Sequence, residues 1–311
     1  MTSLTDLPTD ARGAVVSIGN FDGVHRGHAV LIDRLVTAAR RRSVQAVVFT
    51  FEPHPAQLLR PEAAPIPLTW LNRKSELLGE LGVDLVLAYP TDRRILQYTA
   101  EQFFQEIVIE QLAASQLVEG HDFCFGKNRS GNLEVLAQLC DVHQVELDVV
   151  TPVTEADETV SSSRVRKLIA TGQVAAANAL LTQPYRLRGC VTTGARRARQ
   201  LGFPTANLAK IETLIPAPGV YAGRAHPVGS AQAGFAAALN IGPSPTFADP
   251  DQKVEVHLID YDGDLYGTEL TVDFLDRLRD IQTFETVAQL QSQLNADVMA
   301  ARQVCAGGEI R

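Results

Sequence analysis

The sequence has only four cysteines, Cys124, Cys140, Cys190 and Cys305, and no two of them form a CxxC pair. That spacing excludes a zinc ribbon and offers no disulfide framework, so free thiols in a reducing compartment are expected. Excess positive charge is missing as well, since 28 Lys and Arg against 36 Asp and Glu leave a net charge of -8. A general nucleic-acid binder needs clustered cations to neutralise phosphates, so that class is excluded, while a local basic pocket for one nucleotide is not. The N-terminal "MTSLTDLPTDARG" carries acids and no apolar core, and no apolar run approaches spanning length. Neither a secretory signal nor a membrane helix is expected, which leaves a soluble cytoplasmic protein without membrane or nucleic-acid partners. Two common nucleotide motifs are also absent. "GCVTTGARR" and "GKNRSGNLE" have the glycine spacing of a P-loop without its Lys-Ser/Thr, and no GxGxxG follows the first apolar run. P-loop kinase and Rossmann dehydrogenase readings therefore fall away.

What is present suggests two cores, because 311 residues exceed one average domain and 45% are hydrophobic. From residue 14 to about 150, the short apolar runs "AVVSI", "VQAVVFTF", "VDLVLAY", "SQLVEG" and "VELDVV" alternate with amphipathic stretches. Leu31, Leu35 and Ala38 mark one helical face, and Leu133, Leu136 and Leu139 mark another. Alternating strand and helix imply a parallel sheet. After Pro184, "YRLRGCVTT", "GVYAGRAH", "AGFAAALNIG", "VEVHLIDY" and "LYGTELTVDF" follow one another across Gly and Pro turns with no helix between them. An antiparallel sheet or small barrel is expected there, closed by a terminal helix that packs through Val287, Leu290 and Leu294. The fold class is thus α/β plus β, with domains at 1–184 and 185–311.

"GNFDGVHRGH" follows the first expected strand and opens a helix, the place where α/β sheets bind ligands and helix N-termini favour anions. Gly19 and Gly23 permit a tight turn close to a phosphate, and His25 and His28 lie three residues apart at a helix start. As structure alone, this is a glycine turn with two surface histidines. The coincidence of context and both rings favours chemistry. The pattern resembles the HxGH nucleotidylyltransferase superfamily, whose second signature is matched by "VSSSRVR", with Ser163 where Thr is common. The resemblance implies a Rossmann-like domain in which His25 and His28 are catalytic, while Gly19, Phe21, Asp22 and Gly27 shape the ATP site. It also implies that Ser162, Ser163 and Arg166 hold phosphates, although the same serines make a good helix cap. "FTFEPHP" and "VEGHDFCFGKNRSG" resemble the FMN adenylyltransferase module of bacterial riboflavin kinase/FAD synthetases. That places Asp122 and Phe123 near the flavin or adenine and His54 near the nucleotide; alone, "EPHP" is a polyproline-like turn.

In "LGFPTANL", Pro204 fixes an extended turn, after which Thr205 and Asn207 offer small oxygens on one side of the chain. Such oxygens suit Mg²⁺, which otherwise keeps waters and substrate phosphates. PTAN and the segments "GVYAG", "ALNIGPSPTF", "VEVHLIDYDGDLYG" and "LRDIQTF" resemble riboflavin kinases in order. The resemblance implies Glu255 as the base for the riboflavin 5′-hydroxyl, Arg279 at the flavin, and a phosphate loop with Gly194 and Arg199. Which face of its strand Glu255 occupies is not fixed by the sequence. One departure stands in "GARRARQLG", where Ala198 replaces a glycine and Arg196, Arg197 and Arg199 remain. The expected activity is conversion of riboflavin to FMN and of FMN to FAD, with ATP as co-substrate and riboflavin, FMN and FAD as partners. Ala198 motivates an alternative in which only adenylyl transfer survives beside a degenerate flavin-binding kinase module. A flavin-sensing or RNA-binding regulator is the alternative of another class, and the acidic charge and intact histidine pair argue against it.

Overall fold

The computed structural model describes residues 11–193, 201–229, 234–244 and 249–307. The chain divides into two compact units, Met1–Pro65 with Thr69–Ser161, and Ile66–Leu68 with Ser162–Arg311. The first unit runs β1 (Val15–Ile18), α1 (Arg26–Arg42), β2 (Ala46–Glu52), α2 (Pro55–Leu59), α3 (Leu71–Glu80), β3 (Leu85–Pro90) and α4 (Ala100–Phe103). A π-helical stretch Phe104–Gln111 extends α4, before β4 (Gln116–Gly120), α5 (Leu133–His143), β5 (Glu146–Val150) and the hairpin of β6 (Thr154–Glu155) and β7 (Glu158–Thr159).

The five apolar runs form one parallel sheet in the order β3-β2-β1-β4-β5, as the α/β reading expects. These strands lack alternation because both faces are covered. Val16, Ile18, Val47, Phe49 and Leu117 pack on one side with Phe103, Phe104 and Leu136. Val15, Ala46, Val48 and Val118 pack on the other with Leu31, Ile32 and Leu35 of α1 and Leu77 and Leu78 of α3. The buried stripe of α1 is Leu31, Ile32, Leu35 and Ala39, one position on from the Ala38 read from the sequence.

The second unit contains α6 (Ser162–Ala170), α7 (Val174–Leu180), β8 (Arg186–Thr192), β9 (Ala206–Ala209), β10 (Gly219–Pro227), β11 (Phe235–Ser244), β12 (Asp249–Leu258), β13 (Glu269–Arg279) and α8 (Val287–Gly307). Its strands close into a barrel, β10-β11-β12-β9-β8-β13, with antiparallel pairing throughout. Closure removes the free edges that an open antiparallel sheet would present. Helices α6 and α7 are tied to this unit, the Ala217 N–H donating to the Ile169 carbonyl at 3.3 Å and Asn178 Nδ2 to the Phe274 carbonyl at 2.7 Å. Among the described residues, no helix is long and apolar enough to cross a membrane.

The terminal helix departs from its expected face. Leu290, Asp297, Ala301 and Cys305 are buried, whereas Val287 is 60% exposed. Asp297 enters the stripe because Arg279 on β13 meets it in a two-pronged pair, Nε to Oδ1 at 2.9 Å and Nη2 to Oδ2 at 2.7 Å. Removing one partner would leave the other charge buried. Asp297→Ala should therefore destabilise the barrel unit by about 3 kcal/mol, measured by urea unfolding of the full chain.

Candidate functional site

Strand order reverses beside β1, with β2 and β3 on one side and β4 and β5 on the other. Parallel α/β sheets bind ligands outside the carboxyl ends of their strands at such a switch. The loop of Gly19–His25 leaves β1 at that point, and the loop carrying Asp122 and Phe123 leaves β4. Paired register between β1 and β4 ends at Val16 and Leu117. Beyond it the Ile18 N–H donates to Oε1 of Glu119 at 2.9 Å, so a side chain takes the place of a ladder carbonyl. Glu119 is buried, and burial raises its pKa well above 4.5.

Helix α1 begins in an uncommon way. His25 caps it, its Nδ1 accepting the His28 N–H at 3.3 Å, while Nδ1 of His28 accepts the His25 N–H at 3.3 Å. The rings stack with centroids 3.6 Å apart and planes 16° from parallel. With both Nδ1 atoms accepting, each neutral ring carries its proton on Nε2, the donor end available to a phosphate oxygen. Burial first, then the repulsion His28 would meet from a protonated His25 and from Lys74, push the His28 pKa well below 6.5. Protonation at Nδ1 would also break the cap.

Gly27 makes this stack possible. A Cβ there would lie 3.1 Å from Nδ1 of His25, so any side chain would push on the ring. The turn before the helix is strained: Phe21 has φ 46° and the β-branched Val24 has φ 41°, both in the left-handed region. Asp22 holds it, its Oδ1 accepting the Thr69 N–H at 3.0 Å and the Thr69 hydroxyl at 3.1 Å. The Gly23 N–H in turn donates to Thr69 Oγ1 at 3.2 Å. Phe21 leans against His28 at 5.2 Å. The structure thus brings Phe21, Asp22, His25, Gly27 and His28 into one cluster and adds Thr69 to it. Among the described residues, the buried acceptor Asn20 Oδ1 has no partner.

The barrel carries a second cluster. Antiparallel register sets Glu255 on β12 opposite Asn207 on β9 and Asn240 on β11. Asn240 Nδ2 donates to Glu255 Oε2 at 3.4 Å. Val254, Val256, Ala206 and Leu208 are buried, so Glu255 and Asn207 sit on the partly exposed face, which answers the question the sequence left open. Thr205, half-buried, precedes β9. Nδ1 of His257 lies 2.8 Å from the Pro204 carbonyl, to which it can only donate, and holds the PTAN turn on β12. Beside Asn207 a cavity of about 480 Å³ is lined by Thr192, Thr193, Lys210, Ile211 and Lys253. Among the described residues, no group of three or more His, Cys, Asp or Glu could hold a metal ion. The donor set of Thr205 and Asn207 consists of neutral hard oxygens, which suits Mg²⁺ only when substrate phosphates supply the charge.

The remaining expected residues lie as follows. Ser162 and Ser163 form the first turn of α6, and Arg166, one turn on, donates from Nε to the Ile66 carbonyl at 2.9 Å. Asp122 is exposed, and Phe123 stacks on Phe125 with centroids 5.4 Å apart. His54 caps α2, accepting the Ala56 N–H at 3.1 Å. Arg279 is engaged with Asp297. Gly194 and Arg199, with Ala198 in the same loop, lie outside the described residues. Sequence reasoning passed over Thr69, Lys74, Glu119, Asn240 and His257. Two of these had a signal, since Lys74 falls on the apolar stripe of α3 with Leu77 and Leu78, and Glu119 interrupts an apolar strand.

The family model for FAD synthetase matches residues 7–164, and that for riboflavin kinase matches residues 181–305. A bifunctional riboflavin kinase/FMN adenylyltransferase of Escherichia coli (strain K12) is 36% identical over 301 residues, covering 97% of this chain and 95% of its own. The protein of the same description from Pseudomonas fluorescens is 39% identical over 305 residues, covering 97% and 96%. Among solved structures, a Streptococcus pneumoniae protein described as a macrolide-efflux protein matches with a TM-score of 0.85 at 32% identity, over 97% of each chain.

The histidine geometry sets a pH response. An unfolded His28 titrates near 6.5 and the folded one lower, so the unfolded chain binds more protons in between. The stability owed to neutral His28 is complete above 6.5 and is lost as pH falls toward the folded value. Urea unfolding at a series of pH values should show that loss flattened in His28→Asn, which cannot titrate.

Proposed function

We propose, for a chain that belongs to the bifunctional riboflavin kinase/FMN adenylyltransferase family, that two active sites act in sequence: riboflavin is phosphorylated at the barrel, and the FMN formed is adenylylated at the parallel-sheet unit. The observation that carries the adenylyl-transfer half is the reciprocal cap of His25 and His28, which fixes two Nε2–H donors where the sheet's strand order reverses. The kinase half is supported by Glu255 standing in register between Asn207 and Asn240. The modules correspond to residues 1–184 and 185–311 in this reading, and the free thiols of all four cysteines accord with a cytoplasmic setting.

In the kinase step, Glu255 takes the proton of the riboflavin 5′-hydroxyl as its oxygen attacks the γ-phosphorus of ATP. The bond to the β-phosphate oxygen breaks, and ADP leaves. Asn240 donates to the carboxylate and helps to orient it. Thr205 and Asn207 would hold Mg²⁺, which when bound neutralises phosphate charge and aligns the chain of phosphates. The cavity beside Asn207, with Lys210, Lys253 and two threonine hydroxyls, suits an anionic nucleotide. Gly194 and Arg199 are assigned to its phosphates and Arg279 to the flavin by resemblance.

In the second step, the FMN phosphate is already an anionic nucleophile, so positioning and stabilisation of charge matter more than a base. Its oxygen attacks the α-phosphorus of ATP, and pyrophosphate departs. Neutral His25 and His28 donate hydrogen bonds to the α-phosphate oxygens as charge develops. Gly19 and Gly27 leave room for the nucleotide and the rings, and Phe21 and Asp22 hold the loop in shape. Ser162, Ser163 and Arg166 are assigned to the departing pyrophosphate, and Asp122 and Phe123 to the flavin.

Chromatographic product analysis tests the whole reading. Riboflavin with Mg-ATP should yield FMN and then FAD, and FMN with Mg-ATP should yield FAD. His28→Ala should lower FAD formation from FMN by roughly a hundredfold or more while FMN formation continues, and Glu255→Ala should do the reverse. Loss of both activities in either folded variant would overturn the assignment. The expected metal dependence has its own measurement: Asn207→Ala should raise the Mg²⁺ concentration needed for half-maximal FMN formation without altering FAD formation from FMN.

A further inference from the structure

With both Nδ1 atoms accepting, the histidine pair brings hydrogen-bond donors to the adenylyl-transfer site and, in that geometry, no formal charge. The nucleotide it receives in the reading above is a polyanion. Lys74 on α3 is placed to supply what is missing. It is 6% exposed, although a lysine has a stem long enough to carry its ammonium to water. Fully buried lysines are ordinarily paired. Among the described residues, no hydrogen bond or ion pair to the Lys74 ammonium is found.

Its place relative to the histidines is fixed by backbone contacts. Thr69 docks on Asp22 and Gly23 of the loop, and the Lys74 N–H donates to the Trp70 carbonyl at 3.0 Å in the first turn of α3. The start of the helix is thus fastened to the turn that presents His25 and His28. Lys74 lies within electrostatic reach of His28, Asp22 and Glu52. Burial lowers its pKa from 10.5, and the two carboxylates oppose that shift and favour the cation. Packing gives no reason for the charge, since an apolar residue would fill the same stripe beside Leu77 and Leu78. An unpaired charge in a nearly dry place next to two phosphate donors is what an anion-binding site looks like before its anion arrives.

We propose that Lys74 binds the phosphate chain of the nucleotide during adenylyl transfer, supplying the fixed positive charge that the neutral histidine pair lacks. The inference rests on the adenylyl-transfer reading of the first unit. No bond is made or broken at Lys74; its ammonium stabilises negative charge as it shifts from the α-phosphate to the departing pyrophosphate.

The test uses the full-length chain with Lys74→Met, Lys74→Gln and Lys74→Arg. In the two neutral variants, kcat/KM for ATP in FAD formation should fall on the order of a hundredfold, with Lys74→Arg recovering part of it. FMN formation from riboflavin should be unchanged. Because the native charge is desolvated and unpaired, the thermal midpoint of Lys74→Met should equal or exceed that of the wild type. Calorimetric titration with inorganic pyrophosphate should show binding to the wild type that both neutral variants lose. FAD formation and pyrophosphate affinity within about threefold of wild type would overturn the proposal, as would a lowered thermal midpoint with loss of FMN formation in both neutral variants, which marks a folding role. Should the wild type make no FAD from FMN, the parent reading falls, and the pyrophosphate titration still decides whether Lys74 binds the anion.

Discussion

An exchange of two hydrogen bonds governs the first unit's site: each histidine of the HxGH turn accepts the other's backbone N–H. Most helices are capped by a hydroxyl, a carboxylate or an amide. Here the cap is made by the reacting side chains, so the act of starting the helix also chooses their tautomer, their stacking and their charge. Gly27 accords with this, because a Cβ there would crowd the His25 ring at 3.1 Å and make it shift. The strained Phe21 and Val24 follow too, since the chain must turn sharply off β1 to bring His25 to the cap. The Asp22 clamp to Thr69 then keeps the strained turn from relaxing.

The barrel reaches its geometry by another route. No side chain there needs to cap anything, because cross-strand register alone sets Asn207, Glu255 and Asn240 in a row. Closure of the sheet makes that register hard to slip, as a one-residue shift would turn Glu255 inward and Val254 outward. His257, two residues beyond Glu255 and on the same face, fastens the turn that carries Thr205.

Much of this was legible in the sequence because it lies in short, contiguous stretches. The five apolar runs before residue 150 are strands, and the runs after Pro184 build the barrel. GNFDGVHRGH and PTAN each hold their own turn chemistry, so position and residue type sufficed. What was not legible depends on residues far apart in the chain. Thr69 answers to Asp22 across 47 residues, and Asn240 answers to Glu255 across a strand pair. On α8, Leu290 is buried as expected, while Asp297 joins the buried stripe only because Arg279 pairs with it. Lys74 was passed over for a like reason, as a cation on an apolar stripe acquires meaning only when its neighbours are known. The glycine-rich stretch with Gly194, Ala198 and Arg199 lies outside the described residues.

Glu119 adds a consequence of its own. By lending its carboxyl to the Ile18 N–H, it makes one rung between the central strands ionisable, where a peptide carbonyl would be indifferent to pH. Its folded pKa lies well above 4.5, so the stability it confers is whole in acid and drains away as pH climbs through the folded value. His28 acts with the opposite sign. The two groups therefore pull in opposite directions, a rise of pH from 4.5 toward the folded value of Glu119 loosening the seam between β1 and β4, and a fall below 6.5 loosening the start of α1.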